Sequence, residues 1–262
     1  MPKIEPVPRA ARPKAAAAPP LEGPSRPAEG DEQLDVREQT YNDGLRGQIE
    51  RVSTAVALIV RVRAVMVDVD PKYLASELYA GEDGTAADRL YTQTAHVWLN
   101  RHPLLRHAEV RHSGTGLHVV QHVGPAVEFQ TTADRDRWAA VVRAVQASLP
   151  GDPNAPGLNV HTRPLGSINS KSGLPVKLLR KGSPVSPKAV IDFVEDLRRR
   201  PFATVAGILF GTGRITPCPV CRSSGSSMAA MANEGRCYER CGKVALARLY
   251  GTIMADPTAG RG

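Results

Sequence analysis

Val65-Met66-Val67-Asp68-Val69-Asp70-Pro71 sets the plan of this chain. The unbroken apolar run predicts a strand buried on both faces, and the proline ends its ladder. Asp68 and Asp70 are two apart, so in extended chain both carboxylates leave the same face of the sheet. Side by side they repel, and burying them without a partner is costly. Two arrangements resolve this. The strand end faces water, or a hard divalent cation such as Mg²⁺ sits among the carboxylate oxygens and keeps waters for phosphate.

Around this strand the chain divides by composition. Residues 1–35 are rich in Pro and Ala and have little to bury, which predicts a disordered tail. Globular patterning starts near Val36, with Leu45, Ile49, Val52 and Ala55 at helical spacing and Ala57 to Val60 continuing as helix or strand. After the strand a helix pair is expected, with Pro71 opening the first and Thr85 capping the second, which runs to about Arg101 before Pro103. Ala108 to Val123 reads as a hairpin around Ser113-Gly114-Thr115-Gly116, with His118 just inside the outgoing strand. Its glycines suit close backbone approach to a phosphate, although a lone histidine on a strand is more often structural.

Trp138, Val141, Val142, Val145 and Leu149 form one apolar stripe, predicting a core helix over 132–149. Pro150-Gly151-Asp152-Pro153 then makes a turn. The loop Thr162-Arg163-Pro164-Leu165-Gly166-Ser167-Ile168-Asn169-Ser170-Lys171-Ser172-Gly173 combines cations, hydroxyls and amides, which suits either a phosphate cradle or an ordinary surface loop. A short strand follows at Val176 to Leu179. Ser186-Pro187 opens a helix to about Arg200, and Phe202 to Phe210 reads as a connecting helix or turn.

The four cysteines are Cys218, Cys221, Cys237 and Cys241, with fifteen residues between the two pairs. This spacing fits two knuckles of a tetrahedral Cys₄ site for a structural Zn²⁺. Clustering of this kind points to metal binding in a reducing compartment rather than to a disulfide framework. A short helix is expected to close the module near Lys243 to Tyr250. The formal charge of +8 favours a polyanionic partner. No apolar run reaches membrane-spanning length and no secretory h-region stands at the N-terminus, so a cytoplasmic protein with no membrane partner is expected.

Three of these stretches, in this order, resemble the archaeo-eukaryotic primase superfamily, in particular its small primase-polymerases. They are Asp68-Val69-Asp70, Ser113-Gly114-Thr115-Gly116-Leu117-His118, and Arg163 to Gly173, with Asp152 standing where such proteins often carry a third acid. The resemblance covers about Val36 to Arg200. It implies an α+β fold, a primase-type core with an RRM-like antiparallel sheet flanked by helices, beside a small C-terminal zinc ribbon-like module. It further implies a catalytic core over 36–200, a linker or helix over 201–216, the Cys₄ module over 217–251 and a flexible tail over 252–262.

The function the resemblance implies is template-directed nucleotidyl transfer, as a DNA primase or primase-polymerase in the replication of a plasmid, phage or other mobile element. Asp68, Asp70 and Asp152 would hold two catalytic Mg²⁺ or Mn²⁺ ions. Ser113, Gly114, Gly116, His118, Arg163, Ser167, Asn169 and Lys171 would bind the incoming nucleotide. Partners would be a single-stranded DNA template, NTPs or dNTPs, and a separate replicative helicase, since the sequence has no GxxxxGK[ST] loop. The protein would then sit with the nucleoid or its replicon. The rival classes are a non-catalytic zinc-containing nucleic-acid-binding protein with a degenerate primase fold, and another metal-dependent phosphotransferase such as a nuclease or nicking initiator.

Overall fold

Strand β1 (Arg61–Val69) alternates at its start and is buried through its centre. Met66 on one face and Val65 on the other are 4% and 1% exposed, so the strand is enclosed on both sides there. These coordinates are a computed structural model that describes residues 59–74 and 85–255. The expected tail over 1–35 and the helix through Leu45 to Ala55 lie outside the described residues, as does the chain from 75 to 84, where most of the first helix after Pro71 was expected.

β1 pairs antiparallel with β3 (Leu117–Glu128), which pairs with β2 (Glu109–His112), and β4 (Lys177–Arg180) closes the edge. The sheet order is β1-β3-β2-β4. Its register places Asp68 opposite His118, and His118 opposite Arg111. One face of the sheet carries Val65, Val67, Val69, Val110, Leu117 and Val119 into the main core. The other carries Asp68, His118 and Arg111 in a row, because cross-strand partners share a face.

Helices cover the apolar face. α1 (Thr85–Leu90) and α2 (His96–Arg101) run on from one another as the one helix expected to end near Arg101, through a π-helical turn at Tyr91–Ala95 whose flanking residues keep helical backbone. There the His96 ring nitrogen meets the Tyr91 carbonyl at 3.0 Å, five residues back. α3 (Thr132–Gln146) starts on a capping box, with Thr131 and Asp134 exchanging backbone and side-chain bonds. It stops short of the expected Leu149, since the residue before Pro150 disfavours helical backbone, yet Leu149 stays buried. α4 (Pro187–Arg199) is capped by Ser186, whose hydroxyl accepts the Ala189 N–H at 3.2 Å. α5 (Pro201–Phe210) follows and buries Phe202, Val205, Ala206, Ile208 and Leu209.

A second antiparallel sheet, order β5-β6-β7-β8, is formed by β5 (Arg214–Ile215), β6 (Met228–Ala230), β7 (Gly235–Cys237) and β8 (Gly242–Val244). α6 (Leu246–Ala255) closes it, starting and ending later than the sequence suggested. Phe202, Cys218, Met228, Val244, Leu249 and Ile253 belong to the same buried cluster as the β1 valines, so both sheets share one core. No helix among the described residues is long and apolar enough to cross a membrane.

Candidate active site and metal centre

The polar end of the first sheet is assembled from four separate stretches. Asp68 lies on β1 beside His118 on β3. The Asp152 backbone N–H donates to the Asp68 carbonyl at 2.8 Å, which ties the Gly151-Asp152 turn to the strand. A Cβ on Gly151 would stand 2.8 Å from that same carbonyl, so only glycine allows this approach. Arg163 comes over the sheet in the loop after Thr162, where the Arg111 guanidinium donates to its carbonyl at 3.1 Å.

Electrostatics follow from this crowding. Burial, then the charges of Asp70 and Asp152, push the Asp68 carboxyl up to about 6, against smaller downward pulls from Lys72 and Arg163. His118 moves the other way: burial, then the Arg163 and Arg111 guanidiniums, bring it down to about 4, so it is neutral at pH 7. Its Nδ1 lies 3.0 Å from the Thr162 hydroxyl, which fixes the ring over the sheet. Asp70 is engaged locally. One oxygen accepts the Lys72 N–H at 3.0 Å and the other pairs with Lys72 Nζ at 2.7 Å, which caps the short 3-10 turn Pro71–Tyr73.

The turn and the polar loop brace each other beside these acids. Ser113 N–H donates to the Gly116 carbonyl at 2.8 Å, and Gly116 N–H donates back to Ser113 Oγ at 3.2 Å. Asn169 is 1% exposed and donates from Nδ2 to the Ser113 carbonyl at 2.8 Å. Gly114, at φ +103°, leaves the space that Asn169 fills, since a Cβ there would lie 2.6 Å from that side chain. Asn169 thus acts as the pin of the loop. Ser167 turns its hydroxyl to the Pro164 carbonyl of its own loop at 2.7 Å, and Lys171 is exposed on it.

Comparison with protein-family models, curated proteins and solved structures gave no match to this chain. Its chemistry is read from its own residues.

The four cysteines come together as their spacing requires. Their sulfurs all lie within 4.8 Å of one another, with Cys218 and Cys241 at 4.0 Å and Cys221 and Cys237 at 3.8 Å. A tetrahedral ion with Zn–S bonds of about 2.3 Å needs sulfurs about 3.8 Å apart, so the set can bind a metal such as zinc. The Ser223 backbone N–H and then the Ser226 side chain bring Cys221 down to about 6, and the Arg240 and Cys241 N–H groups lower Cys237. Burial raises the other two, Cys241 to about 12. Ionising all four needs the charge of a bound cation.

Among the described residues this is the one group of three or more His, Cys, Asp or Glu side chains gathered at ligand spacing. The three aspartates are neighbours by charge, with Asp70 turned onto Lys72. Sequence reasoning gave no role to Arg111, and none to Thr162 beyond its place in the polar loop; both position His118 and Arg163. A signal for Arg111 existed: closing the turn at 113–116 pairs residue 112 with 117, and hence 111 with 118.

Proposed function

We propose that this chain is a DNA-directed nucleotidyltransferase, a primase-polymerase of the archaeo-eukaryotic primase type. The observation that carries the reading is the meeting of four stretches of chain at one end of a sheet. There Asp68 faces His118, with Asp70, Asp152 and Arg163 close enough to act on the Asp68 charge. Like charges that raise one carboxyl in this way are the environment a divalent cation relieves, and the oxygen donor set suits Mg²⁺ or Mn²⁺. Asp68, Asp70 and Asp152 would hold such ions, with Asp70 released from Lys72. Two bound ions would supply the charge that acidifies an attacking 3′-hydroxyl and neutralises departing pyrophosphate.

The remaining chemistry falls to positioning. Neutral His118 offers one N–H to a phosphate oxygen, and Arg163 and Arg111 set a positive field over the same face. The Ser113 to Gly116 turn, pinned by Asn169, presents backbone beside them, and Lys171 extends the positive field from the loop. Ser167 acts by closing that loop. In this reading the template is single-stranded DNA, the substrates are NTPs or dNTPs, and a separate helicase opens the duplex at the replicon in the cytoplasm. The cysteine module carries a structural Zn²⁺.

The hold of Lys72 on Asp70 favours the second reading, a non-catalytic nucleic-acid-binding protein of the same fold. Primer synthesis on single-stranded DNA separates the two. Labelled NTPs or dNTPs are supplied with Mn²⁺ or Mg²⁺, and wild type is run beside Asp70→Ala. Short products that vanish in the variant are expected. Folded, zinc-loaded wild type that extends nothing, even on a primed template, overturns the enzyme reading.

A further inference from the structure

A groove of about 720 Å³ lies between α5, the end of α4 and the edge of the second sheet. This volume is within the range of ligand clefts, about 300–1,000 Å³. Guanidinium groups reach it from three elements: Arg101 at the end of α2, Arg200 between α4 and α5, and Arg214 opening β5. Asp196 is the acid in its lining, and it pairs with Arg200 at 2.6 Å in a solvent-exposed bridge, the kind that a phosphate displaces at little cost. Thr204, on the same wall, has a buried hydroxyl with no hydrogen-bond partner.

Tyr238 stands in the lining with 60% of its surface exposed. The Arg214 guanidinium lies 5.1 Å from its ring centroid and is itself fixed by donating to Ser227 Oγ at 2.7 Å. The ring is thus held in place with much of its surface open, although no core contact requires an aromatic there. Arginines match phosphate oxygens in pairs, and an open ring backed by a cation stacks unpaired bases. An acidic peptide would satisfy the arginines and leave the ring unused. A duplex would keep its bases away from the ring.

We propose that this groove is a binding site for single-stranded nucleic acid. Arg101, Arg200 and Arg214 take backbone phosphates, and Tyr238 stacks a base. The assignment stands on the groove alone and does not depend on nucleotidyl transfer at the first sheet. Binding of a fluorescent oligo(dT) to the full, zinc-loaded chain tests it by anisotropy over a range of salt, in an Asp68→Asn background that silences the aspartate site.

Tyr238→Ala is expected to weaken binding about tenfold or more, with Tyr238→Phe binding as the parent does. Arg200→Gln is expected to lower the slope of log affinity against log salt by about 0.7. Zinc content and melting temperature report that each variant is folded. Unchanged affinity in folded Tyr238→Ala overturns the proposal. So does a poly-glutamate peptide that binds this groove in place of the oligonucleotide and ignores Tyr238→Ala. Priming by wild type with unaltered Tyr238→Ala binding refutes the groove alone. Lost binding without any priming refutes the enzyme reading alone.

Discussion

Replacing His102 with glutamine will flatten the pH dependence of this protein's stability, by an amount set by how the imidazole is held. His102 is fully buried. Its Nδ1 accepts the Leu104 and Leu105 N–H groups at 3.1 and 3.0 Å, so that nitrogen carries no proton. Nε2 therefore donates to Ser148 Oγ at 2.8 Å, and that hydroxyl donates on to the Val145 carbonyl at 2.6 Å. A second proton has only Nδ1 to occupy, facing two other N–H groups. Burial holds the folded-state value down at about 3, against about 6.5 in the unfolded chain.

The folded value is depressed, so the unfolded chain binds the extra proton between those two limits. The stability involved is fully present above about pH 6.5 and is lost as pH falls toward 3, at about 1.4 kcal/mol per unit. About 3 kcal/mol is gone by pH 4. At pH 7 the glutamine variant will be less stable by about 1–3 kcal/mol, the cost of poorly paired buried N–H groups. Urea unfolding of both proteins from pH 7 to 4.5 reads the difference, in which carboxylates and metal-binding groups cancel. The gap will narrow by about 2.7 kcal/mol as pH falls to 4.5. A gap that stays constant over that range would falsify the assignment of His102 as a neutral, doubly accepting ring.

Four shorter predictions concern the sites. Asp68 has the opposite sign to His102: its folded value of about 6 lies above the unfolded one, so the native state holds more protons and loses stability as pH rises from about 4 to 6. In magnesium- and manganese-free buffer at pH 7, Asp68→Asn should be more stable than wild type by up to about 3 kcal/mol and so melt at a higher temperature, and a lower melting point refutes this. Gly151→Ala drives a methyl into the Asp68 carbonyl, costing about 1–3 kcal/mol, and should cut nucleotidyl transfer while zinc content holds. Asn169→Ala strands the Ser113 carbonyl at a cost of about 1–3 kcal/mol, and should raise the KM for nucleotide more than it lowers affinity for oligonucleotide. Cys237→Ser, or zinc withdrawal, should open 214–255 to protease and lower the melting temperature of the whole unit, because Phe202 and Leu249 sit in the shared core.

What the sequence made legible follows from how local each signal is. The β1 strand, the start of α3 at Thr132, the Ser186 cap, the end of α2 before Pro103 and the cysteine quartet depend on spacing within a few residues, and each is found where the pattern puts it. The π-helical turn inside the helix over 85–101 was not legible, because a ring nitrogen reaching a carbonyl five residues back leaves no periodic mark. The role of Asn169 was legible only in part. An amide in a Gly-containing loop suggests turn chemistry, but its bond to Ser113 crosses 56 residues of chain. The clasp of Lys72 on Asp70 was available from the sequence as Asp-Pro-Lys, yet the expectation of a cation between the acids obscured the one already beside them.

The Tyr250 hydroxyl donates to the Ala147 carbonyl, three residues before the Pro150 to Pro153 turn, so the closing helix of the cysteine module rests against the segment that carries Asp152. Together with the common core, this has a consequence for genetics. In a screen for the proposed nucleotidyl transfer, random lesions in the cysteine module will score as lesions of the aspartates. Suppressors of either class should arise on the far side of that contact, and transplanting the ribbon alone into another chain would leave behind the surface against which it folds.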